Sequence, residues 1–342
     1  MRIGILSGGG DAPGINAVIR AIVKKGIQHY HDDIIGIKDG WTGLLSGEFI
    51  PLDLNSSSGI LPRGGSILGT SRTNPFKIDD GPQRIVKNTR DAGIDAIAVI
   101  GGDDTLSVAH KMEEYGLKCV GVPKTIDNDL SGTDFTFGFM TAVGIATEAL
   151  DRLHTTAETH HRVIILEVMG RYTGWIALEA GLAGGADVIL IPEKPFDVEE
   201  VCDSIKKRQE RGRNFSLIVV AEGAKPKGGV EIVWSETLDE FGHIRLGGVG
   251  YYLAREIEKC FKIETRVVVL GHLQRGGSPT AFDRVLATRF GIAATDLIHE
   301  GKFDKMVAIK GSNIVSVPLK DVIGKRKTVD LELYDIASVF FG

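Results

Sequence analysis

Short apolar runs alternate with longer amphipathic stretches along most of the chain. The apolar runs are rich in Val and Ile and lack polar alternation, which is typical of strands buried on both faces. The predicted strands are Arg2–Leu6, Ile34–Ile37, Ile94–Ile100, Lys118–Val122, Arg162–Val168, Asp187–Ile191, Phe215–Ala221 and Thr265–Leu270. The predicted helices are Gly14–Tyr30, Thr105–Tyr115, Thr141–Thr156, Val198–Arg211, Gly248–Phe261 and Ala281–His299. This alternation predicts an α/β fold with parallel sheets and helices on both faces.

Glycines cluster directly after several predicted strands. The clearest examples are Gly8–Gly10, Gly101–Gly102, Gly170, Gly223 and Gly271. Because ligands bind outside the carboxyl ends of strands in open parallel sheets, these glycines mark the predicted active face. The segment Lys225–Leu246 is predicted to be a hairpin-like excursion between two core strands, of unknown purpose.

Composition and charge limit the classes of function. A chain of 342 residues, 43% of them hydrophobic, is long enough for two domains. The net charge of -5 gives no sign of a general nucleic-acid binder. No segment is long and apolar enough for a signal peptide or a membrane span, so we expect no membrane association. Cys119, Cys202 and Cys260 are few, odd in number and far apart, which argues against a disulfide framework and indicates a reducing cytoplasm.

The first candidate site is "SGGGDAPGINA", where a strand runs into three glycines and then into a helix. Backbone N–H groups in such a loop, with a helix N-terminus behind them, bind anions. The loop is not a Walker A motif, because Ile15 stands where Lys is required, and Pro13 breaks the dinucleotide-binding pattern. A tight strand–helix turn without a ligand is the alternative.

Two further segments place carboxylates after buried strands. In "GGDDT", Asp103 and Asp104 follow a glycine pair, where a carboxylate can hold Mg²⁺; the alternative is that one aspartate caps the next helix. In "PKTIDND", Asp127 and Asp129 follow a strand, where a fixed carboxylate can act as general base towards a sugar hydroxyl. The alternative for this segment is an Asx-rich turn.

Arginines follow two other strands. Arg171 in "EVMGR" can reach a transferring phosphoryl group, and Arg266, His272 and Arg275 bracket one strand and its exit loop. The alternatives are surface arginines and a structurally satisfied histidine. These segments therefore indicate phosphate chemistry only when they are taken together.

Seven segments, in order from Ser7 to Pro279, resemble the phosphofructokinase family. They are "SGGGDAPGINA", "RGGSILGTSR", "GGDDT", "PKTIDND", "EVMGR", "AEG" and "GHLQRGGSP". The resemblance implies two three-layer α/β/α domains with mostly parallel sheets and an active site in the interdomain cleft. It implies a donor-binding domain of residues 1–138 plus 274–324 and a sugar-phosphate-binding domain of residues 139–273 plus 325–342.

The resemblance also assigns roles. Asp103 would hold Mg²⁺, Asp127 would take the proton from the sugar's C1 hydroxyl, and Arg171 would stabilise the moving phosphoryl group. The donor-binding residues would be Gly10, Arg72, Gly102, Asp103, Asp104, Thr105 and Lys124. The substrate-binding residues would be Thr125, Asp127, Asp129, Arg162, Met169, Gly170, Arg171, Glu222, Arg266, His272 and Arg275. Arg162 and Arg266 would reach the neighbouring subunit's site, which implies a homodimer or homotetramer.

Asp104 decides the expected phosphoryl donor. ATP-using members of the family usually carry Gly at this position, and a carboxylate there would mimic the nucleotide's α-phosphate and repel it. Pyrophosphate has no third phosphate and escapes this conflict. Lys124 resembles the lysine that contacts the donor and stabilises the transition state in pyrophosphate-using relatives, although some ATP users also have it. The expected reaction is reversible transfer from Mg-pyrophosphate to fructose 6-phosphate, giving fructose 1,6-bisphosphate in glycolysis or gluconeogenesis.

Three alternatives stay open at this point. Asp104 can point to solvent beside a working ATP site, which would make the protein an ATP-dependent 6-phosphofructokinase. A non-catalytic regulatory subunit that binds sugar phosphates is disfavoured, because Asp103, Asp127 and Arg171 are all present. Another acceptor, such as sedoheptulose 7-phosphate, also fits a pocket that is anchored on a phosphate.

Overall fold

The computed structural model describes residues 1–229, 233–238, 244–261 and 263–342. Its strands are β1 (Arg2–Ser7), β2 (Asp33–Ile37), β3 (Phe49–Leu52), β4 (Ala96–Gly101), β5 (Cys119–Pro123), β6 (Val163–Val168), β7 (Val188–Leu190), β8 (Ser216–Ala221), β9 (Val233–Leu238), β10 (Ile244–Leu246), β11 (Thr265–Val269), β12 (Lys305–Lys310) and β13 (Asn313–Pro318). Its α-helices are α1 (Ile15–Lys25), α2 (Trp41–Ser46), α3 (Gly81–Asp91), α4 (Asp103–Met112), α5 (Phe139–His160), α6 (Trp175–Ala183), α7 (Val198–Glu210), α8 (Val249–Cys260), α9 (Ala281–His299) and α10 (Leu331–Ser338).

The chain divides into two compact units. Unit 1 comprises Met1–Thr141 and Arg275–Arg326, and unit 2 comprises Ala142–Gln274 and Lys327–Gly342. Within the described residues, no helix combines the length and the apolar character needed to cross a membrane.

Unit 1 is built on a sheet whose strand order, in the described residues, is β13-β12-β5-β4-β1-β2-β3. The inner strands are parallel, and the outer pairs β12–β13 and β2–β3 are antiparallel. Side chains alternate between the two faces of β1: Ile3 and Ile5 pack with α1 and α9, whereas Leu6 packs with α2, α3 and α4. Both faces of this sheet are therefore covered by helices.

Unit 2 contains a parallel sheet with the order β11-β6-β8-β7. Val163 and Ile165 of β6 pack against α7 and α8, whereas Ile164 packs on the other face with Ala157 of α5. Burial on both faces explains why β6 and β8 are apolar at every position but one each. The predicted fold class, two α/β domains with mostly parallel sheets, is confirmed.

The eight predicted strands are confirmed to within two residues at each end, and the six predicted helices lie where they were expected. The prediction missed the edge strands β3 and β13, the strand β12 beside β13, and the helices α2, α3, α6 and α10. The α6 segment is apolar on nearly every side, so it shows no helical periodicity. The predicted excursion contains β9 paired antiparallel with β10, as in a hairpin; residues 230–232 and 239–243 within it lie outside the described residues.

The expectation that the cysteines form no disulfide is wrong. Cys202 of α7 and Cys260 of α8 are joined by a disulfide, with their Cα atoms 6.5 Å apart. The two residues are 58 positions apart in the sequence, and only the packing of α7 beside α8 brings them together. Cys119 is a free, buried thiol in β5.

Candidate active site

The carboxyl ends of β1, β4 and β5 lie side by side at one edge of the unit 1 sheet. The Gly8 N–H donates to Ile100 O at 2.9 Å, and the Lys124 N–H donates to Gly101 O at 3.0 Å. These bonds hold together the starts of the three segments that the sequence singled out. The parallel order of the strands thus brings "GGGD", "GGDDT" and "PKTIDND" to one place.

The glycines at this edge make room for Thr105. A Cβ on Gly8 would lie 2.8 Å from Thr105 Oγ1, and a Cβ on Gly101 would lie 2.3 Å from Thr105 Cβ. Thr105 is itself buried at the start of α4. The helix therefore packs directly against the first loop, which requires glycine at both positions.

Lys124 points beneath the first loop. Its Nζ donates to Gly10 O, and only 3% of the residue is exposed. The pKa of Lys124 is lowered to about 7, first by burial and then by the positive charge of Arg275, against the opposing charge of Asp11. A cation in this position lies where an anion held by the loop would bind.

Arg275 lies with the first loop, in unit 1. Its Nη1 donates to Asp11 O at 3.2 Å, and a Cβ on Gly10 would lie 2.7 Å from the same Nη1. Glycine at position 10 is therefore needed for the guanidinium to approach. The sugar-phosphate role expected for Arg275 stays a prediction.

The segment that precedes Arg72 is also hydrogen-bonded to this loop. The Gly9 N–H donates to Ser71 O at 2.8 Å, and Thr70 Oγ1 donates to Gly9 O at 2.6 Å. The Arg72 side chain is exposed, and its charge also lowers the pKa of Lys124. Three cations, Lys124, Arg275 and Arg72, therefore surround the glycine loop.

Asp103 and Asp104 form the first turn of α4. The residue at the cap is Gly102, and no side chain caps the helix, so the capping alternative for these aspartates is wrong. Both carboxylates are half-buried. Asp103 Oδ1 accepts a hydrogen bond from the Gly324 N–H at 2.9 Å, which orients this carboxylate. No sequence pattern points to Gly324, because it lies in no motif and is 221 residues away from Asp103 along the chain.

Asn128 shapes the turn that carries Asp127 and Asp129. It adopts a φ of 52°, and its buried side chain accepts from the Thr136 N–H at 3.1 Å and donates to Asp134 O at 3.4 Å. Asparagine tolerates this left-handed conformation better than most residues. The Asx-rich turn and the carboxylate segment are therefore the same structure, and Asn128, one of the three polar residues after the strand, has a structural role that the sequence did not assign to it.

Two neighbouring carboxylates raise the affinity of Asp129 for a proton. The pKa of Asp129 is raised well above its usual range, first by burial and then by the negative charge of Asp127; Asp103 adds to this rise and Arg326 opposes it. A hard divalent cation prefers oxygen ligands and would relieve this repulsion. The residues present therefore fit Mg²⁺, with Asp103 as a ligand.

In unit 2, the residues expected to bind sugar phosphate follow β6, β8 and β11. Met169, Gly170 and Arg171 follow β6. Glu222 directly follows β8, and its N–H donates to Val168 O at 2.9 Å. The Met169 N–H donates to Oε1 of the buried Gln274 at 2.7 Å. This bond ties the end of β6 to the short helix Gly271–Arg275, which carries the exposed His272. Gln274 stands in the quoted motif, but it was given no role.

Arg162 and Arg266 lie at the opposite end of this sheet. Arg162 directly precedes β6, and Arg266 pairs with Ile164 near the amino end of β6. Both guanidinium groups form ion pairs with Glu264, the Arg162 pair at 2.5 Å. A six-residue strand spans about 20 Å, which is longer than an arginine side chain can reach. Within one chain, these arginines are therefore not brought to Met169–Arg171.

Known proteins match the chain over its full length. The family model for phosphofructokinase matches residues 2–298. The pyrophosphate–fructose 6-phosphate 1-phosphotransferase of Streptomyces coelicolor is 59% identical, with 100% of both chains covered. ATP-dependent 6-phosphofructokinase 3 of the same organism is 51% identical over 96% of each chain.

A solved structure shares the fold. Phosphofructokinase from Pichia pastoris in the T-state is 31% identical, with a TM-score of 0.83 over 99% of this chain. This chain spans only 36% of that longer chain. The family model covers most of the chain, and the relatives from Streptomyces match it from end to end. The chain belongs to the phosphofructokinase family.

Proposed function

We propose that the protein transfers a phosphoryl group from Mg-pyrophosphate to the C1 hydroxyl of fructose 6-phosphate. The observation that carries this proposal is Asp104, which stands beside Asp103 in the first turn of α4 next to the glycine loop. A carboxylate there disfavours a donor with an α-phosphate, as ATP has, more than it disfavours pyrophosphate. The 59% identical relative, which is named for the pyrophosphate reaction, supports the proposal.

Unit 1 would bind the donor. The glycine loop offers backbone N–H groups, and Lys124, Arg275 and Arg72 supply positive charge around it. Asp103 would hold Mg²⁺, which neutralises charge on the phosphates when it is bound. A bound pyrophosphate would favour the charged form of Lys124 and return its pKa towards the ordinary range.

Asp127 would act as the general base. Its N–H donates to Thr125 Oγ1 at 3.1 Å, and Thr136 Oγ1 donates to Thr125 O at 2.7 Å, so the turn that carries it is held from both sides. A fixed carboxylate of this kind can accept the proton of the C1 hydroxyl as that oxygen attacks the phosphorus. The leaving group is inorganic phosphate, and Arg171 would stabilise the moving phosphoryl group.

Unit 2 would bind fructose 6-phosphate through the residues that follow β6, β8 and β11. Arg162 and Arg266 would act in the site of a neighbouring subunit, because they lie at the other end of their own sheet. The enzyme would then be a homodimer or homotetramer. We place it in the cytoplasm and expect it to serve glycolysis or gluconeogenesis, since transfer between pyrophosphate and a sugar phosphate is reversible.

ATP-dependent phosphorylation of the same sugar is the second candidate. It is favoured by the 51% identical relative, which is named ATP-dependent, because such identity leaves room for a change of donor. The two candidates differ in what Asp104 does. They are therefore separated by an experiment on that residue.

The deciding experiment compares pyrophosphate and ATP as donors in the presence of Mg²⁺ and fructose 6-phosphate. We expect the unmodified protein to use pyrophosphate and to show no appreciable ATP activity. Asp104→Gly removes both charge and bulk and should gain ATP activity, while pyrophosphate activity falls about tenfold or more. Asp104→Asn is the matched control, because it keeps the size and removes the charge.

The result identifies the cause of donor choice. A gain of ATP use in both variants would show that charge excludes the nucleotide, and a gain in Asp104→Gly alone would show that space does. Robust ATP activity in the unmodified protein would overturn the proposal and leave the ATP-dependent function.

A further inference from the structure

A segment near the end of unit 1 touches the candidate donor site at two points. The Gly324 N–H donates to Asp103 Oδ1 at 2.9 Å, and Arg326 pairs with Leu130 in an isolated antiparallel bridge. Leu130 directly follows Asp129 and is buried. The two attachments are two residues apart in the segment: one reaches the Asp103 carboxylate at the start of α4, and the other reaches the backbone that directly follows Asp129.

These attachments place a cation beside a group of carboxylates. Asp103, Asp127 and Asp129 are close enough for the charges of Asp103 and Asp127 to raise the pKa of Asp129, and Arg326 acts on it in the opposite direction. Lys124, Arg275 and Arg72 act on the other side, around the glycine loop. A pyrophosphate that approaches Asp103 therefore meets negative charge that only a metal ion or a nearby cation can offset.

We propose that Gly324 and Arg326 are part of the donor site: the Gly324 N–H orients Asp103, and the Arg326 guanidinium offsets the carboxylates so that Mg-pyrophosphate can bind beside them. This inference rests on the proposed pyrophosphate-dependent function. Arg326 acts through the carboxylates, so it is a positioning residue. None of the quoted family motifs includes this segment, since they end at Pro279.

Two variants of Arg326 and one matched control test the proposal. Arg326→Ala removes the charge, and the bridge to Leu130 is retained because it is made by the backbone. Arg326→Lys keeps the charge. Lys325→Ala removes one positive charge from the adjacent exposed position and so controls for net charge and for local disturbance. Thermal unfolding of each variant verifies that it is folded.

In Arg326→Ala, the affinities for Mg-pyrophosphate and for Mn²⁺ should change in opposite directions. Calorimetric binding of Mg-pyrophosphate to Arg326→Ala should weaken about tenfold, and the KM for pyrophosphate should rise by the same factor with the KM for fructose 6-phosphate unchanged. Binding of Mn²⁺ alone to the free protein should become about threefold tighter, because a charge that repels cations has been removed. Arg326→Lys and Lys325→Ala should remain close to the unmodified protein in both measurements.

Three results would overturn the inference. The first is that Arg326→Ala leaves both the pyrophosphate and the Mn²⁺ affinity unchanged. The second is that Arg326→Ala weakens both affinities, which indicates lost structure. The third is that Arg326→Ala and Lys325→Ala have equal effects. The Mn²⁺ measurement needs no turnover. If the unmodified protein transfers nothing from pyrophosphate, the proposed function fails, while the Mn²⁺ shift still decides whether Arg326 sets the charge at the carboxylates.

Discussion

At the scale of single residues, burial and neighbouring charge change what a side chain can do. Lys124 is an ordinary lysine in the sequence, but burial and Arg275 lower its pKa to about 7. Asp129 is an ordinary aspartate, but burial and Asp127 raise its pKa. Shifts of this kind are common where binding and catalysis occur, and both residues lie in the group of loops at the ends of β1, β4 and β5.

Lys124 predicts a loss of donor affinity at alkaline pH. A lowered lysine pKa means that the ammonium is present below about pH 7 and is lost as the pH rises through that value. The kcat/KM for pyrophosphate should therefore fall above pH 7, by up to about tenfold per pH unit. In Lys124→Arg the guanidinium stays charged, so this alkaline fall should be absent even if the overall rate is lower.

The measurement is a profile of kcat/KM for pyrophosphate between pH 6 and pH 9, which reports on the free enzyme. The kcat profile, measured with the site saturated, should show its fall at a higher pH, because the bound anion favours the ammonium. An unchanged alkaline fall in Lys124→Arg would assign it to another group.

At the scale of elements, the turn after β5 both orients the carboxylates it carries and holds the loop that follows it. Asn128, at a φ of 52°, reverses the chain between Asp127 and Asp129, and its side chain bonds fix the following loop at Asp134 and Thr136. Strand β5 is a rigid support, and the turn that follows it orients the two carboxylates. Catalytic residues are often carried in this way, on a loop that is held by a buried strand.

Substitutions at Asn128 should therefore lower both stability and turnover. Asn128→Ala places Ala in a left-handed conformation and leaves the Thr136 N–H without its acceptor, which together cost about 2–4 kcal/mol of unfolding free energy. The kcat should fall at least about tenfold, because the proposed general base, Asp127, is no longer held in position. Urea unfolding and steady-state kinetics measure the two effects.

Two other variants separate the causes. Asn128→Gly relieves the backbone strain but loses the side-chain bonds, so it should be more stable than Asn128→Ala and remain slow. Asn128→Asp keeps an acceptor for Thr136 and should recover part of the stability. Wild-type turnover in Asn128→Ala would show that the turn does not position the base.

At the scale of the whole molecule, the chain passes between its two units three times, at Thr141–Ala142, Gln274–Arg275 and Arg326–Lys327. The residues proposed to bind the donor lie in unit 1, and most of those proposed to bind the sugar phosphate lie in unit 2. Arg162 and Arg266 form a separate cluster around Glu264 at the far end of the unit 2 sheet. Their position predicts that each active site is complete only when subunits assemble.

Mixed oligomers test this prediction. Arg266→Ala and Asp127→Asn should each be nearly inactive alone. When equal amounts of the two variants are co-expressed, about half of the dimers should be hybrids. In each hybrid the subunit with an intact Asp127 receives Arg266 from its neighbour, so one site of the two works and about a quarter of full activity should return in the mixture. If Arg266 serves its own subunit, every site in the hybrid carries a defect and no activity returns.

The sequence by itself determined the buried strands, the main helices and the glycine-rich exits of β1 and β4. These features depend on local pattern: a strand buried on both faces must be apolar, and a loop packed against Thr105 must contain glycine. The ordered motifs also determined the family. The strands β12 and β13 and the apolar helix α6 were missed because their neighbours in space, rather than their own periodicity, decide their conformation.

Only the tertiary structure decided which distant residues meet. The Gly324 N–H donates to Asp103, Gln274 accepts a hydrogen bond from Met169, Arg162 forms an ion pair with Glu264, and Cys202 forms a disulfide with Cys260. Each of these contacts joins separate elements, so no spacing in the sequence announces it. The shifted pKa values of Lys124 and Asp129 have the same origin, because desolvation and nearby charge exist only once the chain has packed.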